Sequence, residues 1–209
     1  MIIRFGKFEA TVISSILIVV TFIFAVSTEK KTISTSAHPQ TVELPIIMYH
    51  HITENINKTG KYTVHTEEFR NDLDYIRENG YTTITVAELI DYVNNEEALP
   101  GKPIMITFDD GFESFYNLAY PLLKERSMKS VVSVIGKVTE KYSESEDHNI
   151  NYSNLTFAQI NNLIAEGLTE IQNHSYNMHL SEQGQRKGLS KLKNESNEDY
   201  RKARIQKSF

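Results

Sequence analysis

The sequence predicts an α/β fold built on a parallel sheet, open or barrel-like, and three observations carry that prediction. Short apolar runs rich in Ile, Val and Tyr alternate with longer segments whose apolar residues recur every three or four positions. The longer segments open on capping residues and close on glycine, as helices between strands do. Two clusters of carboxylate and imidazole side chains, Thr107-Phe108-Asp109-Asp110-Gly111 and His174-Ser175-Tyr176-Asn177-Met178-His179, fall where apolar runs end. In β/α architectures that end of the strands is where sites are built.

The first strand is expected at Pro45–Tyr49, stopping at His50 and His51. A helix follows over about Thr66–Asn79, with Phe69, Leu73 and Ile76 on one stripe and Gly80 as its stop. Tyr81–Ile84 reads as a strand; Thr85 then caps a second helix, with Glu88 completing a capping box and Leu89, Ile90 and Val93 as the buried face. The third strand is Ile104–Phe108. The helix after it buries Phe115, Leu118, Ala119, Leu122 and Leu123, with Pro121 kinking it or opening its second half. Ser130–Ile135 is the fourth strand, followed by a polar loop over about Thr139–Ser153. Thr156 and Gln159 form a second capping box, Phe157, Ile160, Leu163 and Ile164 make that helix's stripe, and Gly167 ends it. The fifth strand delivers His174. Residues 181–209 read as a polar, basic tail, expected to be helical.

The 209 residues suffice for one domain with a sizeable core, and 40% hydrophobic with 23% charged residues excludes global disorder. The absence of cysteine excludes disulfides and thiolate metal sites. A net charge of −5 argues against a nucleic-acid partner. Residues 10–26 carry no charge, follow Arg4 and Lys7, and precede Glu29, Lys30 and Lys31. As a helix they would rise roughly 25 Å, slightly short of a bilayer core. Residues 1–26 are therefore expected to be a signal anchor or a cleaved signal peptide, 27–41 a flexible spacer, and the domain to begin at 42. The expected location is the cell membrane with the domain outside, or the cell surface after cleavage.

Asp109 and Asp110 are adjacent, so on an extended backbone they point apart. A turn into Gly111 lets one carboxylate ligate a metal while the other stays free as a general base. His174 and His179, five apart, are off register for one helix face but workable on a strand-to-loop turn. One Asp and two His leave open positions for water and substrate, the pattern of a catalytic metal site. Taken singly, Asp-Asp-Gly is a common turn and the spaced His pair is weak; their joint placement at strand ends carries the inference. His38, His65 and His148 fall in loops or caps, and His50 or His51 either lines the same mouth or makes a structural hydrogen bond.

Together, Thr107-Phe108-Asp109-Asp110-Gly111 and His174-Ser175-x-x-x-His179 resemble the polysaccharide deacetylases of the NodB-homology (carbohydrate esterase family 4) type. Pro45-Ile46-Ile47-Met48-Tyr49-His50 and Asn117-x-x-Tyr120-Pro121-Leu122-Leu123 are similar to the branch of exported poly-N-acetylglucosamine deacetylases, and the likeness runs from about Leu44 to Leu180. The resemblance implies a distorted β/α barrel, here partial, over residues 42–180. It implies Asp109 as the general base and Asp110, His174 and His179 as ligands of one divalent metal, commonly zinc, with cobalt or nickel as substitutes. The implied reaction is hydrolysis of N-acetyl groups on an N-acetylglucosamine polymer, a surface polysaccharide or peptidoglycan, with His50 and His51 as candidate substrate contacts. The family's later segments, among them an Arg/Tyr-Pro-aromatic-Gly stretch and a Leu-His stretch supplying a general acid, have no counterpart after His179. Hence a C-terminally truncated domain is expected, with an inert remnant that at most binds metal or glycan as the alternative function.

Overall fold

The computed structural model describes residues 41–95, 97–178, 190–192 and 194–208. The chain divides into two compact units, Met1–Val42 and Glu43–Phe209, and all the elements below belong to the second. The expected N-terminal helix over residues 10–26 and the ligand His179 lie outside the described residues. No described helix is long and apolar enough to cross a membrane.

The five expected strands are present as β1 (Ile46–Tyr49), β4 (Thr82–Thr83), β5 (Pro103–Phe108), β6 (Ser130–Ile135) and β7 (Thr169–Ser175). They form one parallel sheet in the order β1-β5-β6-β7, with β4 also paired to β5. Apolar residues fill β5 without alternation because both its faces are covered. Ile104, Ile106 and Phe108 enter the main core, whereas Met105 joins a smaller cluster with Ile84 and Val131. β1 and β7 are the end strands among the described residues.

Helices close the main face. α1 (Thr66–Glu78) buries Phe69, Leu73 and Ile76; His65 caps it by accepting the Glu67 amide, and Gly80 follows at φ 72°. A π-helical turn, Phe115–Ala119, runs into α3 (Tyr120–Glu125), where Pro121 opens the second half rather than kinking a continuous helix. α5 (Phe157–Glu166) carries the Thr156–Gln159 capping box and ends on Gly167 at φ 75°. α6 (Asn197–Ser208) follows at the C-terminal end.

Four expectations need correction. α2 (Val86–Asn95) has the Thr85–Glu88 box but buries no residue fully: Ile90 and Val93 are exposed, and only Val86 and Leu89 pack on the small cluster. In α5, Ile160 and Leu163 are buried while Phe157 and Ile164 face outward, because the layer beneath covers only part of the stripe. Of the stretch read as a polar loop, residues 139–144 instead belong to α4 (Gly136–Glu144), an amphipathic helix that buries only Thr139 and Tyr142, and the loop begins at Ser145. His51 does not end the first strand. It opens β2 (His51–Thr53), which pairs in parallel with β3 (Thr63–His65) in a separate two-stranded sheet.

Candidate active site at the C-terminal ends of β5 and β7

The floor of the site is aromatic. Phe108, fully buried at the end of β5, stacks on Tyr49 at 5.3 Å and meets Phe69 and Phe115 edge-on at 5.7 and 4.7 Å. Tyr49 donates its hydroxyl to Asp72 at 2.7 Å. Burial, and then that neighbouring carboxylate, push its phenol pKa up, so it stays a donor. The ladder continues one step past the strand, where the Asp109 amide donates to the Tyr49 carbonyl at 2.9 Å. Asp109 is thus fixed by its neighbours before the chain turns.

The turn itself uses left-handed backbone. Asp110 has φ 68° and Gly111 φ 66°. Aspartate is one of the few residues with a side chain that tolerates this region. Glycine is required at the next position, since a Cβ there would lie 2.9 Å from Val134 Cγ1 and 3.3 Å from the Val134 backbone.

Opposite, the β6–β7 ladder changes register: Val134 pairs with Asn173 and Ile135 with Ser175, so the pairing skips His174. An extra residue of this kind re-aims a side chain. His174 Nε2 faces Asp110 Oδ1 at 3.6 Å, and Nδ1 faces Asp109 Oδ2 at 3.8 Å. All three side chains are largely buried yet reachable, at 22%, 17% and 26% exposure for Asp109, Asp110 and His174.

The structure therefore brings Asp109, Asp110 and His174 together. Two ligands at about 2.1 Å from one tetrahedral ion sit roughly 3.4 Å apart, so the 3.6 Å between Asp110 Oδ1 and His174 Nε2 suits a shared small cation. One oxygen and one imidazole nitrogen also match the donor set of a zinc-type ion. Among the described residues no group of three or more His, Cys, Asp or Glu is placed to hold one metal ion, and His179 is not among them. His50 packs its ring on Tyr62 at 4.9 Å. His51 is buried edge-on to Phe112, with Nε2 3.0 Å from the Ile150 carbonyl. That acceptor fixes the proton on Nε2 and leaves Nδ1 buried without a hydrogen bond, and burial pushes the pKa down.

The sequence profile of the polysaccharide deacetylases matches residues 96–208, more than half of the 209. The chain belongs to the polysaccharide deacetylase family. This family member is 33% identical over 162 residues to YxkH of Bacillus subtilis, which carries the family's name, covering 72% of this chain and 56% of that one. It is 25% identical over 138 residues to the poly-β-1,6-N-acetyl-D-glucosamine N-deacetylase of Escherichia coli K12, covering 64% of this chain and 20% of the relative. The solved structure of IcaB from Ammonifex degensii superposes with a TM-score of 0.58 at 29% identity, covering 74% of this chain and 62% of IcaB. The chain thus spans about half, or less, of the length of these curated relatives. The homologues and structural neighbours of this deacetylase-family chain are hydrolases, and the family is generally metal dependent.

Sequence reasoning missed the residues that hold this site from behind. Asn154 donates Nδ2 to the Asp110 carbonyl at 2.7 Å. Tyr176 donates its hydroxyl to Glu140 at 3.1 Å and its backbone carbonyl accepts the Lys137 amide at 2.8 Å, with Gly136 packed so close that a Cβ would lie 2.9 Å from the Tyr176 ring. Gly136 directly after a strand was the one short-range signal available.

Proposed function

We propose that this chain is a divalent-metal-dependent N-deacetylase of an N-acetylglucosamine polymer, and the observation that carries the reading is the meeting of Asp109, Asp110 and His174 beyond the ends of β5 and β7. The name of the E. coli relative favours a β-1,6-linked surface polysaccharide over peptidoglycan. Asp110 Oδ1 and His174 Nε2 would hold the ion, zinc or in its place cobalt or nickel, with His179 as the further ligand. A bound ion would polarise the acetamide carbonyl and offset charge growing on its oxygen. Ligation through Nε2 puts the His174 proton on Nδ1, the edge that faces Asp109 Oδ2 at 3.8 Å. Asp109, outside the ligand set, would then take a proton from the attacking water; as the water oxygen bonds to the acetyl carbon and the C–N bond breaks, that proton would pass to the sugar nitrogen, giving the amine and acetate. His50 is a proposed contact to the sugar chain, whereas His51, also a candidate contact by sequence, is buried with Nε2 on the Ile150 carbonyl and makes the structural hydrogen bond instead. Residues 10–26 are proposed to export the domain, anchored to the membrane or released at the cell surface.

The test is acetate release from N-acetylglucosamine oligomers by the purified full chain, before and after chelation and zinc return. Release that stops with chelator, returns with zinc, and is lost in Asp109→Asn while zinc binding persists is the expected result. Chelator-insensitive release, or normal turnover in Asp109→Asn, would overturn the metal or the base assignment respectively.

A further inference from the structure

We infer that Asn154, 44 residues from Asp110 in the chain, is a positioning residue for the Asp110 carboxylate, holding the Asp110–Gly111 turn in the shape that presents Oδ1 to His174. The inference rests on the metal-site reading above and assigns it a supporting residue. Left-handed backbone at a residue with a side chain persists only where its surroundings over-determine it. Here two consecutive residues adopt it, and Asp110 is one of them.

What over-determines the turn is the strap of residues 149–155. Asn154 pairs with Phe112 across an antiparallel bridge and donates Nδ2 to the Asp110 carbonyl at 2.7 Å. The Leu155 amide donates to the Gly111 carbonyl, and the Glu113 amide to the Ser153 carbonyl, both at 2.8 Å. The strap is itself fixed: Ser153 and Leu155 are fully buried, Asn154 is 6% exposed, and Ser153 Oγ accepts the Asn149 amide at 2.7 Å. Gln159, in the first turn of α5, donates to Glu113 Oε1 at 2.9 Å and ties the far side of the turn to the same helix.

Of the hydrogen bonds from strap to turn, the one from Asn154 comes from a side chain and the others are backbone. It can therefore be removed without touching the main chain. Asn154→Asp keeps the shape but replaces the donor with an oxygen facing the Asp110 carbonyl; Asn154→Ala removes the donor altogether. Either leaves the carbonyl of a left-handed residue without this donor and lets the turn relax, carrying Oδ1 away from His174. Residues supporting a metal ligand in this way typically alter affinity about 10–100-fold.

The experiment is a zinc titration of the full chain against a chromophoric chelator, alongside thermal unfolding of the metal-free protein. Wild type, Asp110→Asn, Asn154→Asp, Asn154→Ala and the exposed control Asn95→Ala, at the end of α2 and outside the strap, are compared. Expected are a marked loss of zinc affinity in Asp110→Asn, a loss of about tenfold or more in both Asn154 variants while still folded, and no change in Asn95→Ala. Wild-type affinity in folded Asn154 variants overturns the inference and leaves the metal reading standing. Asn154 variants that are unfolded at the titration temperature overturn it too, because a residue the whole domain needs is not specific to one carboxylate. Wild type binding zinc no better than Asp110→Asn overturns the metal reading itself, and the inference with it.

Discussion

Gly111→Ala tests the tightest point of the candidate site. The substitution adds a methyl group in two unfavourable ways. At φ 66° an L side chain meets its own backbone, a cost of roughly 1–2 kcal/mol. The same methyl would lie 2.9 Å from Val134 Cγ1 and 3.3 Å from Val134 Cα. Valine is stiff at χ1 and its Cα belongs to β6, so neither can yield freely; overpacking of this kind costs about 1–3 kcal/mol. The sum, about 2–5 kcal/mol, is a large part of the roughly 5–15 kcal/mol that stabilises a domain. Val134→Ala separates the two contributions, because it removes Cγ1 but leaves the backbone angle unchanged. The double variant should therefore be more stable than additivity predicts by about 1–2 kcal/mol, within the range seen for residues in contact. It should still fall roughly 1–2 kcal/mol below Val134→Ala alone. Urea unfolding followed by circular dichroism on all four proteins measures both differences. Additive losses, or a Gly111→Ala protein as stable as wild type, would show that the close approach to Val134 does not shape this turn.

Three further outcomes follow from the same geometry. Phe108→Ala empties a fully buried site in contact with three aromatic rings and should cost about 3–5 kcal/mol in urea unfolding; a loss under about 1 kcal/mol would refute the aromatic floor. His51, whose pKa burial pushes down, takes up a proton in the unfolded chain before the folded one, so its contribution to stability is present above about pH 6.5 and lost as pH falls below it. Thermal unfolding between pH 7 and 5 should be flatter in His51→Gln than in wild type, and parallel profiles would refute the buried neutral imidazole. Glu140 is held low by the Lys137 ammonium and then by the Tyr176 hydroxyl, so Tyr176→Phe should move its titration, followed by NMR, back towards the ordinary carboxylate range. An unmoved Glu140 would place the hydroxyl elsewhere.

The elements legible in the sequence are those whose signal lies within a few residues. Thr156 and Gln159 sit three apart and close a box. Gly80 and Gly167 each follow a stripe and each adopts positive φ. The unbroken apolar run of β5 announces a strand covered on both faces. Where the reading failed, the deciding partner was distant or only half the pattern was used. Ile90 and Val93 have the spacing of a buried face, yet spacing cannot tell how far the opposing layer extends, and here it reaches only Val86 and Leu89. α4 buries two residues in nine, too few to stand out from a polar loop.

The candidate site divides along the same line, and this bears on how such sites should be sought. Asp109, Asp110 and His174 were legible because carboxylates and imidazoles at strand ends are locally recognisable. Their mutual aim was not. It depends on a register step that skips His174 in β7, on Gly111 pressed against Val134 in β6, and on Asn154 reaching back to the Asp110 carbonyl. None of these leaves a short-range mark, since an asparagine in a polar stretch is what any loop contains. Reactive groups are thus chosen by chemistry that a motif can display, and their geometry is set by backbone contacts that only the fold can assemble. A substitution at Asn154 or Val134 should accordingly disturb the site while leaving every motif residue in place.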